Sequence, residues 1–592
     1  MLPIVQNGPI TKVAEGEIGG KARSLPFLHR LIEGGGLLRE FAPHEILVPE
    51  TWVLSTGIFD RFVQRNHLEA CLDLDDDDEI RRRFLRGSFD GEVEETLADY
   101  LETHREPLAV RSSSASEDAY RHPAAGMFQT IFLPNREPGR HRQLLQAVKL
   151  VFASALYRTV SHYLRAHGVP REDEKMAVAL EAVVGHTYGR FHYPLLSGVA
   201  QSVNFFPVAA MRPEHGVAII VVGLGRRVVA GLDGMRFCPR FPTLRPERPG
   251  AQDLLRLSQQ AFDAVDLDTA GRELTGADGD TLTTLPIETG DEHGTLRDVA
   301  ATVDLESGVL YEGMLADGPR VVTFDRFLRE SLFPLPRVLS RVVALVSDGF
   351  GSAVEIEFAF RFGHGANSRR GQFYLLQARP MASLELSQAV TIPDLRAAQV
   401  VLRTSMAMGH GAVDGLRHVV FVDPEEFRLD RSPQMAAEVG ELNERLAAGR
   451  EPYALLGPGR WGTCNAAVGI PVSYAQVDGA RLIAELTAPS LRAQPSQGTH
   501  FFHNVVAGSL FYLMIEPARG DVVDLEWLRA QPNRAATRFA RLITIDPGLA
   551  IRVQGQERVG VVYRPTAGRR PGPGAAASRP IGSRRVQAAE SP

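Results

Sequence analysis

Two short strands in the second half of the chain constrain it most, because their pattern gathers polar side chains where packing alone would gather none. Val354-Glu355-Ile356-Glu357-Phe358-Ala359-Phe360 alternates as a strand does, so Glu355 and Glu357 share one face. Like charges so close repel. Either a cation sits between them, magnesium with its preference for oxygen ligands being one candidate, or the face is exposed or pairs with Arg361. The next run, Gly371 to Arg379, puts Gln377 and Arg379 on one face, and Gly363-His364-Gly365-Ala366-Asn367 between the runs predicts a hairpin. Two carboxylates, an amide and a guanidinium would then meet on adjacent strands.

Two motifs upstream carry matching charge. Lysine occurs only at positions 12, 21, 149 and 175, so Lys21 directly after Gly19-Gly20 marks a place for a compact ammonium in a chain that otherwise uses arginine. The glycines would let backbone approach a phosphate; the alternative is a turn and a helix with a solvated lysine. Pro107-Leu108-Ala109-Val110 reads as a strand that delivers Arg111 to its end, followed by Ser112-Ser113-Ser114. A guanidinium there can fork onto phosphate oxygens, and Glu117 and Asp118 are expected to orient Arg111 or the loop.

Lys21, the segment Arg111 to Phe132 with its Ala125-Gly126-Met127-Phe128-Gln129-Thr130 loop, Glu355-Ile356-Glu357 and Gln377-Ala378-Arg379-Pro380 occur in one order. In that order they resemble the ATP-binding domain of the phosphoenolpyruvate synthase and pyruvate phosphate dikinase family, over roughly Gly16 to Met381. The resemblance implies an α+β fold with an ATP-grasp-like pair of subdomains closing on ATP and Mg²⁺. It implies Lys21 and Arg111 as phosphate contacts, Glu355 at an acidic nucleotide- or metal-binding position, Glu357 as a magnesium ligand, and Gln377 with Arg379 as the pair that closes on the phosphates. Lys21, Arg111 and Arg379 are thereby the catalytic candidates. Glu181 falls where the family commonly has a glutamine near adenine. Gln201 and Ser202 replace its usual aromatic-threonine pair, and Arg226 follows Gly223-Leu224-Gly225 where the family has an acid. The swiveling domain with a Gly-Gly-x-Thr-x-His-like segment, and the barrel that binds pyruvate, are not recognisable after Met381.

The 592 residues suggest about three to four domains' worth of chain. Residues 1–385 are assigned to the ATP-binding domain, with an insertion at 240–300 whose Thr269–Thr295 part is expected to be exposed. A smaller α/β C-terminal domain of unknown role covers 386–563, and an Arg/Pro/Gly/Ala-rich tail, 564–592, lacks the apolar residues to pack and is expected to be disordered. Leu144, Val148, Val151, Ala155 and Leu156 predict one long core helix through 140–166, and the acidic run 73–79 a solvated helix start. A net charge of −6 gives no argument for nucleic acid. The longest apolar stretch, near Val217 to Leu224, is far short of the ~20 residues that span a bilayer. Met1 to Thr11 has no signal-peptide pattern, and the isolated Cys71, Cys238 and Cys464 suit a reducing compartment, so a cytoplasmic location is expected.

The C-terminal region holds two further motif-like stretches, Leu455-Leu456-Gly457-Pro458-Gly459-Arg460-Trp461-Gly462-Thr463 and Gln497-Gly498-Thr499-His500-Phe501-Phe502-His503-Asn504. The first could form an anion-binding turn. In the second, His500 or His503 could accept a phosphoryl group; the alternative is a turn and a helix whose histidines cap or pack. The expected function is ATP-dependent phosphoryl transfer to a histidine, here or on a partner protein, against an ATP-sensing regulator without turnover, or a ligase working through an acyl phosphate.

Overall fold

A computed structural model of the chain describes residues 2–565, apart from 115, 118–123, 167, 233, 245–254, 256–257, 308, 314–317, 365–368, 383–388, 466–467, 488–490 and 492–494. Asp118, the hairpin tip at Gly365–Asn367, the boundary near 386 and almost all of the Arg/Pro/Gly/Ala-rich stretch lie outside the described residues.

The chain is a mixed α and β protein organised around three large sheets. The elements that matter for the site are, in chain order, α1 (Gly19–Gly34), β1 (Leu108–Ser114), β2 (Met176–Ala182), β3 (Leu196–Gln201), β4 (Val354–Phe362), β5 (Gly371–Pro380) and α2 (His500–Ala507). The first sheet has six strands in the order Ile4–Asn7, Ile10–Val13, Thr51–Leu54, β2, β1, Thr130–Leu133. The second, also six-stranded, runs Met235–Phe237, Val217–Val221, β3, β4, β5, Glu45–Leu47. The third has ten strands, all between Val400 and Tyr563: nine along its main path, and Asn533–Ala536 paired to Ala540–Gln554 off it.

Burial explains the strand sequences. β2, Met-Ala-Val-Ala-Leu-Glu-Ala, is buried through its first six residues, as a continuous apolar run covered on both faces must be. β4 is less alternating in burial than in sequence, since Val354, Glu355 and Ile356 are all buried. Helix Leu335–Phe350 supplies Val338, Leu339, Val342 and Val346 to the core beneath the second sheet. The largest apolar cluster is continuous from Leu2 to Leu542 and includes Phe62, Phe152, Met435, Phe502 and Tyr512, so early and late parts of the chain share one core.

Two expectations change. The helix through 140–166 is broken: Arg140–Ser154 and Arg158–Ala166 are separate. The second helix begins where the Arg158 N–H donates to Asp77 Oδ1 at 2.7 Å, a cap from a distant segment that helical periodicity cannot reveal. Thr269–Thr295 is not simply exposed. Leu282–Pro286 pairs with Ala261–Asp266 in a four-stranded sheet that also takes in Phe191–Tyr193 and His186–Tyr188, and Leu274, Leu285 and Ile287 are buried. The acidic run does start a helix, Asp77–Arg86, with Asp76 accepting from the N–H groups of Asp78 and Glu79.

Candidate functional site

The start of α1 is pressed against the end of β1. A Cβ at Gly19 would lie 1.7 Å from Ser113 O, and one at Gly20 would lie 1.7 Å from Glu117 O. Gly19 also has φ +74°, a region that penalises any side chain. Ser113 completes the junction, its hydroxyl donating to Ile18 O at 2.7 Å and accepting from the Ala22 N–H at 3.0 Å. The glycines therefore admit the chain's own backbone. This close approach places Lys21, in the first turn of α1, over the serine segment: Nζ donates to Ser112 Oγ at 3.0 Å and to Glu117 Oε1 at 2.5 Å. Of the two expectations for Glu117, that it orients Arg111 or the loop, the loop holds: it accepts from Ser112 Oγ at 3.2 Å and its N–H donates to Ser114 Oγ at 3.1 Å, while its charge partner is Lys21.

Arg111 joins the first and second sheets. Nη1 donates to Glu181 Oε2 at 3.1 Å and to Leu376 O at 3.2 Å, while Nη2 donates to Gln377 Oε1 at 2.8 Å and to Glu357 Oε2 at 3.2 Å. The Leu376 carbonyl is available because β4 and β5 slip register between Glu357 and Phe358, leaving Leu376 opposite no residue. Such a bulge frees a backbone group from the ladder and redirects it. Glu181, expected near adenine, is buried and held by Arg111 and by the Thr51 hydroxyl at 3.3 Å.

The hairpin forms as expected, with Glu355 opposite Arg379 and Glu357 opposite Gln377. Arg379 Nε donates to Glu355 Oε1 at 2.8 Å, and its Nη2 contacts the same oxygen. Gln201, opposite Glu355 on the other neighbouring strand, donates to Glu355 Oε2 at 2.5 Å. Arginines thus neutralise both glutamates. Arg361 is not their partner; it bonds Gln372, Gly185 O and the Tyr374 hydroxyl.

Helix α2 brings the late motif to this cluster. His500 Nε2 lies 4.0 Å from Glu357 Oε1. A Cβ at Gly126 would lie 2.2 Å from His500 Nδ1, so the Ala125-Gly126 loop and the histidine ring are in direct contact. Asn504, one turn on, donates to Ala125 O at 3.1 Å. His500 remains 29% exposed, whereas His503 is 3% exposed and its Nδ1 has no hydrogen-bond partner. Burial, with Arg379 and His500 nearby, drives the His503 pKa well below its ordinary value, so that imidazole is neutral. Burial opposes ionisation of Glu357, but the neighbouring His500 and the charges of Arg111 and Arg379 outweigh it and hold the carboxyl well below its usual range.

Among the described residues no group of three or more His, Cys, Asp or Glu side chains is arranged to hold a metal. Both Glu355 oxygens are engaged by Arg379 and Gln201, while Glu357 Oε1 lies 4.0 Å from His500 Nε2. Mg²⁺ takes one or two carboxylates and fills its remaining positions with phosphate oxygens and water. With Glu355 committed to Arg379 and Gln201, the carboxylate that would hold it is Glu357.

Elsewhere, Arg226 pairs with Asp263 Oδ2 at 3.3 Å and Arg227 with Asp263 Oδ1 at 3.1 Å, so the basic residue after Gly225 serves a buried aspartate. The Gly459–Thr463 turn docks on the preceding domain's loop: Arg460 Nη1 and Thr463 Oγ1 both donate to Gly231 O, at 3.1 and 2.6 Å. Gln201 and Gln497 were visible as motif members, but nothing in the sequence joins them; their contact depends on docking.

Residues 15–400 match the family described as pyruvate phosphate dikinase, AMP/ATP-binding domain. A similar protein is the uncharacterized phosphotransferase YvkC of Bacillus subtilis (strain 168), 26% identical over 197 residues. That match covers 33% of this chain and 21% of YvkC, about a fifth of the relative's length.

Proposed function

Because the chain belongs to the pyruvate phosphate dikinase AMP/ATP-binding family, we propose that it is an ATP- and Mg²⁺-dependent phosphotransferase with His500 as its phosphoryl acceptor. In this reading residues 1–385 are the ATP-grasp-like nucleotide module and 386–563 the domain that presents the acceptor, working in the cytoplasm.

The observation that carries the reading is the convergence of Lys21, Arg111 and Arg379 with Glu357 and His500 from four separate parts of the chain. These cations face four carboxylates: Glu117, Glu181, Glu355 and Glu357. A polyphosphate arriving there competes with those carboxylates for the same donors, and the excess negative charge calls for a divalent cation. Bound at Glu357, Mg²⁺ would neutralise phosphate charge. Lys21 and Arg111 would hold phosphate oxygens, and Arg379 would close on them with Gln377.

His500 is favoured over His503 because it is part-exposed and beside Glu357, whereas His503 is enclosed. A ring nitrogen lone pair attacks phosphorus. The N–P bond forms as the P–O bond to the leaving nucleotide breaks, that electron pair departs with the nucleotide, and the ring N–H proton passes to water. The phosphoryl group then moves to a further acceptor, which a partner protein could carry.

A second reading, an ATP sensor without turnover, draws on Arg226, which stands where the family has an acid and is committed to Asp263. Incubation with ATP labelled at the γ- or β-phosphate separates the two. An acid-labile, base-stable label that maps to residue 500 and is lost in His500→Asn supports transfer. Saturable ATP binding with neither label nor product supports the sensor. ³¹P NMR of the products, ADP or AMP with phosphate, tells a simple kinase from dikinase-type chemistry.

A further inference from the structure

We infer that Gln497 is a positioning residue for the phosphate clamp, holding Glu355 and through it Arg379 by a hydrogen-bond chain that enters from the C-terminal part of the protein. The inference rests on the reading of Arg379 as a phosphate contact, and it adds a role for Gln497, a residue that reading does not use.

The chain runs in one direction. Arg236 Nη2 donates to Gln497 Oε1 at 2.6 Å, Gln497 Nε2 donates to Gln201 Oε1 at 2.6 Å, and Gln201 Nε2 donates to Glu355 Oε2 at 2.5 Å. Glu355 Oε1 accepts from Arg379. Neither amide can be turned over. A guanidinium only donates, so the atom facing Arg236 must be the Gln497 oxygen. Gln497 then offers its NH₂ to Gln201, whose facing atom must be oxygen, and the Gln201 NH₂ is left for the Glu355 carboxylate, an acceptor.

The ends of the chain fix its middle. Gln497 uses its full capacity: its NH₂ also donates to Val203 O at 2.9 Å and its oxygen also accepts from the Phe205 N–H at 3.2 Å. Gln201, Glu355 and Arg379 stand in one row across β3, β4 and β5, as paired residues. Gln201, Gln497 and Glu355 are 2%, 1% and 1% exposed, so water cannot replace a missing link. The two oxygens of Glu355 are thus shared between the clamp arginine and the C-terminal segment. When phosphate draws Arg379 away, Gln201 and Gln497 remain to hold Glu355 in place. Buried bonds polarised in series also strengthen one another.

Gln497→Glu is the direct test. A carboxylate keeps the acceptor that Arg236 needs but turns an acceptor toward Gln201, so the chain is broken with little change in volume. The expected result is ATP affinity lowered about tenfold or more, with adenosine affinity near wild type in a protein that still folds, its Tm lowered by the unpaired buried groups. A general loss of structure would weaken both ligands. Gln201→Leu breaks the same chain from the other side and is expected to give the same split. In the wild-type protein, ATP is expected to change hydrogen exchange of residues 496–504, and adenosine is not. ATP affinity unchanged in both variants, or no ATP-specific exchange change in the wild type, overturns the inference. Failure of the wild type to bind ATP at all overturns the nucleotide reading beneath it.

Discussion

Gly126 and His500 touch so closely that a methyl group on Gly126 would lie 2.2 Å from His500 Nδ1. The loop that ends the serine-rich motif of the nucleotide module therefore sets the position of a histidine from the C-terminal region. Gly126 also has φ +72°, so its lack of a side chain serves both backbone and neighbour. Gly126→Ala is expected to push the imidazole away from Glu357 and to lower phosphohistidine labelling at least tenfold, at a cost of about 1–2 kcal/mol in stability. Labelling under ATP saturation, beside a thermal melt, checks this; full labelling would show that the contact does not position His500.

Arg111 bonds Glu181, Glu357, Gln377 and the Leu376 carbonyl together. Arg111→Met leaves two enclosed carboxylates without their guanidinium and is expected to destabilise the fold by about 3–5 kcal/mol. Arg111→Lys is expected to recover little of that, since an ammonium cannot reproduce the fork. Urea unfolding of both variants measures the difference.

Glu357→Gln keeps the side chain's shape and removes its charge. The expected outcome is loss of the Mg²⁺ dependence of ATP binding, with turnover reduced at least about a hundredfold. Titration of ATP with and without Mg²⁺ by calorimetry tests it; an unchanged Mg²⁺ requirement would place the metal elsewhere.

Glu485 carries a pH dependence remote from the nucleotide site. Burial pushes its pKa from 4.5 up to about 7, only partly offset by hydrogen bonds from Tyr512, Ser496 and the Trp461 N–H. The folded state then keeps a proton that the unfolded chain has lost. The associated stability is fully present below about pH 4.5, declines as pH rises, and is gone above about pH 7. The window is worth about 3 kcal/mol. Glu485→Gln, which mimics the protonated acid, is expected to flatten that part of the stability curve. Denaturant midpoints between pH 5 and 8 for both proteins decide it.

Gly19→Ala combines a positive φ with a clash against Ser113 O. It is expected to cost about 3 kcal/mol or more and to shift Lys21 from Glu117. Gly34→Ala, with nothing near the added methyl, is the matched control.

Local pattern made the individual groups legible. Alternation in Val354–Phe360 and a strand ending at Arg111 follow from a few consecutive residues, and the scarcity of lysine from the whole chain; it was the order of the motifs, resembling the family's ATP-binding domain, that gathered Glu355, Glu357, Gln377, Arg379, Arg111 and Lys21 into one candidate site. Strand period and hairpin chemistry are short-range properties, so the meeting of Glu355, Glu357, Gln377 and Arg379 on adjacent strands could be read from them; the register that sets Glu355 opposite Arg379 and Glu357 opposite Gln377, next to a bulge, could not. Partnership could not. That Glu117 serves Lys21, that Glu181 and Glu357 share Arg111, that Asp77 caps a helix at Arg158, and that Gln497 reaches Glu355 through Gln201 are outcomes of packing between distant segments. Charge and amide groups select partners by distance and angle within ångströms; the packing of the first two sheets and their helices sets the first three of these, and only the docking of the C-terminal region brings Gln497 within range.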